Sequence, residues 1–109
     1  METIGEYLVV RAVEAPEEDL QKPGYFRIIE DLTAKGEKNF AVYFIDSLSV
    51  PPSRQISFLL QCIEYVEEKG GRLAVIVPDK TFRELLIEMG ICRLIRVFRS
   101  GEDMRLKIA

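Results

Sequence analysis

Phe40-Ala41-Val42-Tyr43-Phe44-Ile45 is an unbroken apolar run, too short for most helices and rich in residues that favour strands. Leu73-Ala74-Val75-Ile76-Val77 is a second such run. A strand with no polar alternate positions needs cover on both faces, which is the situation of strands inside a parallel sheet. Between the two runs, Ile56, Leu59, Leu60, Ile63 and Val66 recur at spacings of three and four, while Gln61, Glu64, Glu67, Glu68 and Lys69 take the other side. That is an amphipathic helix, and Gly70-Gly71 ends it. Strand, helix, strand of these lengths implies parallel pairing through a right-handed crossover.

The rest of the chain repeats the alternation. Glu6 to Glu14 reads as a strand, and Thr3-Ile4 as a short one before it. Ala15 to Asp19 holds a proline and three acids where one helical turn could start, and Pro23-Gly24 interrupts it. A first helix is expected from Gly24 to Ala34, with Tyr25, Phe26, Ile28, Ile29 and Leu32 as its stripe and Gly36 after it. After Pro78, Asp79 or Thr81 can cap a helix whose stripe is Phe82, Leu85, Leu86 and Met89, with Gly90 as the stop. A last strand is expected at about Leu94 to Phe98, and a short helix or turn over Gly101 to Ile108. The expected fold is α/β: residues 1–109 as one domain, with a single small sheet of about four to five strands, largely parallel, and helices packed on it.

Composition removes several functions. The net charge is −3, which disfavours a phosphate backbone as the main partner, so no nucleic acid is expected. No apolar run approaches a membrane span and METIGEY lacks a signal-peptide pattern, so the expectation is a cytoplasmic protein that does not engage a membrane. There is no histidine, which removes the commonest general base and metal ligand together with Ser-His and Cys-His nucleophiles. Cys62 and Cys92 have no metal-ligand spacing and read as reduced thiols. No catalytic residue, metal or cofactor is expected. Asp46 stands where α/β folds often put chemistry, but one carboxylate without a second acid or a metal cluster is little to build an enzyme on. Glu64, Glu67 and Glu68 read as a solvated helix face, and Arg93, Arg96 and Arg99 as edge or surface charge.

What stands out is the segment between the first apolar run and its helix. Asp46, Ser47, Ser49, Pro51, Pro52 and Ser53 make a polar loop ending at a helix N-terminus. Unpaired N–H groups and the positive end of the helix dipole favour an anion there. Ser53 equally suits a plain helix cap.

The second half of the chain resembles the STAS domain of bacterial anti-sigma factor antagonists. The residues that carry the likeness are Gly70-Gly71-Arg72-Leu73-Ala74-Val75-Ile76-Val77-Pro78, then Phe82-Arg83-Glu84-Leu85-Leu86, then Gly90-Ile91-Cys92-Arg93-Leu94-Ile95-Arg96-Val97-Phe98-Arg99-Ser100. The family's D-S-[ST]-G loop has two possible registers here. Phe44-Ile45-Asp46-Ser47 matches it in type but leaves a long helix with Pro51 and Pro52 near its start. Counting back from Gly70 instead puts the motif on Pro52-Ser53-Arg54-Gln55, which needs no insertion and is preferred. In that register Arg54 stands where the family carries its phosphorylated serine, and Pro52 where it carries the aspartate.

The resemblance implies a non-catalytic protein-interaction module that regulates transcription by binding an anti-sigma factor of serine-kinase fold. The implied contacts are Asp46, Ser49, Ser53, Arg54, Gln55 and Ser57, within the loop and helix start at 47–57. Ser53 is the leading phosphorylation candidate, and Ser49, Ser47 and Ser57 are weaker ones. The alternative is a domain that has lost phosphorylation and serves as a small-ligand or nucleotide sensor, or as a scaffold subunit. A fixed charge at Arg54 would also fit constitutive binding.

Overall fold

The computed structural model describes residues 2–12, 24–44 and 52–108, and for 52–54 the backbone alone. Strands β1 (Thr3–Ile4) and β2 (Tyr7–Ala12) form an antiparallel hairpin. Its turn is Gly5-Glu6, and Gly5 takes φ 59°, the left-handed region that a two-residue hairpin turn demands and glycine supplies without strain. Helix α1 (Gly24–Ala34) leads to β3 (Asn39–Phe44), α2 (Pro52–Glu68) to β4 (Arg72–Ile76), and α3 (Lys80–Glu88) to β5 (Arg96–Phe98); α4 (Gly101–Ile108) follows. The five strands lie in the order β1-β2-β3-β4-β5, with β2 to β5 all parallel.

That order decides where the helices go. A right-handed crossover to the next strand on the same side always returns over the same face. So α1, α2 and α3 share one face, where Phe26, Ile29, Leu59, Ile63, Val66, Phe82 and Leu86 pack on Val10, Phe40, Val42, Phe44, Leu73 and Val75. Side chains alternate along a strand, so Val9, Ala41, Ala74, Ile76 and Phe98 point to the other face. There Met104 of α4 is fully buried among them, with Ile4 and Tyr7. Ala41 and Ala74 are partners in adjacent strands, and two small side chains side by side leave room for that short helix.

Several element ends differ from expectation for local reasons. The strand expected from Glu6, β2, starts at Tyr7 because Gly5-Glu6 is the hairpin turn; Val13, Ala15 to Asp19 and Ile45 lie outside the described residues. Val77 lies past the end of β4, though its N–H still donates to Phe98 O at 2.8 Å. The last strand is shorter than the apolar text suggests. Ile91–Arg93 is a 3-10 turn, and the N–H groups of Leu94 and Ile95 both donate to Ile91 O, so the chain is still turning where a strand was expected. Asp79, not Thr81, caps α3, its carboxylate accepting from Phe82 N at 2.8 Å. The α2–β4 turn needs Gly71 because a Cβ there would collide with the Lys38 carbonyl oxygen.

Candidate functional site

Helix α2 begins at Pro52. Proline suits a first helical position, since its fixed φ fits and the N–H it lacks would be unpaired anyway. Ser53 and Arg54 therefore stand in the first helical turn. Asp46, Ser47 and Ser49 lie outside the described residues, as do the side chains of Ser53 and Arg54.

Of the remaining expected contacts, Ser57 is exposed on α2 and Gln55 is not. Gln55 is 6 % exposed, the one buried polar side chain among the described residues. It adjoins Ile56, Leu59, Cys62, Ile63 and Val66, the buried stripe of α2. The helical rotation from a core-facing Ile56 brings its neighbour inward as well, so Gln55 is corrected from a contact residue to an interior one.

The C-terminal ends of the strands carry a feature that periodicity did not single out. Phe44, the last residue of β3, meets Tyr25 from the first turn of α1 with ring centroids 5.7 Å apart at 78°. It also meets Phe82 from the first turn of α3, 5.3 Å apart at 83°. Edge-to-face pairs of this kind are favourable beyond their area. They fix the end of β3 to the starts of two helices. The signal was present in the sequence as one aromatic at each of three element ends. Arg83 was also missed. Its guanidinium donates to Val77 O at 3.0 Å and Pro78 O at 3.2 Å, which holds a cation at the end of β4.

Beneath this rim burial holds two core groups, Tyr25 and Cys62, protonated. Burial pushes the Tyr25 phenol far above its ordinary range, with the Cys62 thiol adding to the effect, and the hydroxyl has no hydrogen-bond partner among the described residues. Burial, with Glu30 second, pushes Cys62 up to about 12. Among the described residues no group of three or more Cys, Asp or Glu could hold a metal ion. Nor is any described helix long and apolar enough to cross a membrane. The rim offers a helix start, a half-buried arginine and exposed Ser57, which suits contact with another molecule's surface.

No protein-family profile matches the chain, and no curated protein does. A solved structure does: the NMR structure of the protein TM1081 superposes with a TM-score of 0.68 at 13 % identity, covering 98 % of this chain and 85 % of that one. At that identity the likeness speaks to architecture, and the architecture is a five-stranded, largely parallel α/β sheet with three crossover helices on one face and a fourth helix on the other.

Proposed function

We propose that this chain is a non-catalytic interaction module of the STAS type, acting in the cytoplasm as an anti-sigma factor antagonist. Its partner is an anti-sigma factor of serine-kinase fold, gripped through the segment 47–57. The observation that carries the proposal is the start of α2 at Pro52, which sets Ser53 and Arg54 in the first turn of a helix at the carboxyl edge of the parallel strands. That matches the register in which the second half of the chain resembles the family. The strand order supports it too. Ligand crevices in open α/β sheets form where the order reverses, and the order β1 to β5 never reverses.

A phosphate on Ser53 would sit beside unpaired backbone N–H groups and the positive helix end, and would bring close to two negative charges onto the binding surface. The partner complex then suffers repulsion and desolvation, and releases. Arg54 favours a second mode at the same site: a fixed cation where the family carries phosphoserine gives constitutive binding. Mass spectrometry of the peptide spanning 46–72, taken from protein captured in its native cells, separates the two. Phosphate on Ser53 together with a co-captured kinase-fold protein supports the switch. The same partner with unmodified serines supports constitutive binding. Absence of any kinase-fold protein refutes the anti-sigma reading.

A further inference from the structure

Charge is unevenly placed along this chain. Residues 93–108 hold five bases and two acids, a net of +3, within a chain whose net charge is −3. Three of those bases stand together where β5 leads into α4. Lys107 Nζ lies 3.2 Å from Asp103 Oδ1. The Arg96 guanidinium lies 3.5 Å from Lys107 O and 5.1 Å from the centre of the Phe98 ring. The Arg99 N–H donates to the other Asp103 oxygen, and the Arg99 guanidinium pulls on the same carboxylate. One acid thus faces three cations. Arg96 and Arg99 are exposed, and neither forms a salt bridge among the described residues.

The opposite charge gathers on α2. Glu67 and Glu68 follow Glu64 by three and four positions, so the three acids stand on one side of the helix, and all are exposed. None of them forms a salt bridge among the described residues. They are poorly placed in an isolated copy. Like charges at these spacings repel. Glu67 and Glu68 also stand at the negative end of the helix dipole, and the last turn of α2 holds no base. Lys69, just past the helix, lies over the Tyr65 ring at 5.7 Å. Cations supplied from outside would relieve both effects.

We infer that the acidic end of α2 in one copy docks on the Arg96, Arg99 and Lys107 cluster of a second copy. Helix α2 packs on one face of the sheet and α4 on the other. Two different patches therefore meet, so the contact is heterologous and can extend to further copies. Exposed ion pairs are individually weak and are screened by salt, so the association belongs to high concentration and low ionic strength. Glu64 stands two turns beyond Ser57, and the inference does not depend on what the 47–57 segment binds.

Sedimentation velocity of the full chain at about 500 µM, in about 20 mM and about 300 mM salt, tests this. The expected result is reversible association at low salt that is lost at high salt. Glu64→Gln with Glu67→Gln, and separately Arg96→Gln with Arg99→Gln, should each weaken it about tenfold. The first pair moves the net charge from −3 to −1, which by net charge alone would favour association, so a loss there reports the contact itself. Circular dichroism of each variant checks that these surface changes leave the fold intact. A monomer at low salt overturns the inference. So does association that high salt leaves unchanged, or that either double variant retains at full strength.

Discussion

Tyr25 and the two cysteines show how much one side chain's surroundings decide. The Tyr25 hydroxyl is buried without a partner among the described residues, and an unsatisfied buried donor costs about 1–3 kcal/mol. Tyr25→Phe keeps the ring against Phe44 and removes the orphan, so urea unfolding should show stability unchanged or raised by up to about 1 kcal/mol. Cys62 is buried and Cys92 exposed. A thiol reagent should therefore titrate one cysteine in native protein and two after denaturation. Linkage gives the pH dependence. A group whose folded pKa lies above its unfolded value supports the fold below the unfolded value and loses that support as pH rises toward the folded one. Cys62 shifts from 9.0 to about 12, so stability should fall between those pH values, and Cys62→Ala should flatten that part of the profile while lowering the whole curve. None of this was legible in the sequence, because a stripe of apolar periodicity says which face is buried and nothing about which hydroxyl finds a partner there.

Elements with a strong period were legible and those without it were not. The helix Gly24–Ala34 emerged with its expected bounds, since a one-sided stripe and a proline-glycine break define both ends. The last strand did not, because Ile95 is buried while its N–H still turns back to Ile91 O, and in the sequence it looks like a strand residue. The α2 start was legible through its prolines, whereas the inward turn of Gln55 was not, since polarity pointed outward and the helical rotation pointed in. Helix α4 is the element that local chemistry holds most visibly. Ser100 Oγ accepts from Asp103 N, Asp103 accepts from Arg99 N, both at 3.0 Å, and Lys107 Nζ lies 3.2 Å from Asp103 Oδ1. The Arg99 N–H above all holds the Asp103 carboxyl below its ordinary 3.8; burial opposes it, and Lys107 adds a smaller pull downward. Its support is thus present above pH 3.8 and lost as pH falls through the lower folded value; in acid titrations followed by circular dichroism, Asp103→Asn should blunt that loss. Met104→Ala should cost about 2–5 kcal/mol, because it empties the one fully buried position of α4. Gly71→Ala should cost several kcal/mol by forcing β3 and β4 apart at Lys38, and a shifted denaturation midpoint would show it.

Across the whole molecule, the sequential strand order decides which edge of the sheet each helix end occupies. It sends every crossover helix to one face, stacks their starts at the carboxyl edge with Phe44, Tyr25 and Phe82, and leaves the end of α3 at the opposite edge. Fold class followed from alternating strand and helix patterns. Of the expected contacts, Ser57 is exposed and Gln55 buried, while Asp46, Ser47 and Ser49 lie outside the described residues. The most direct test is comparative affinity capture from native cells with wild-type protein and with Ser53→Glu and Arg54→Glu variants, both at the start of α2. The account predicts that wild type retains a serine-kinase-fold anti-sigma factor and that at least one variant loses it while keeping its thermal stability. Identical capture by all three proteins, or no kinase-fold protein with any of them, would contradict it.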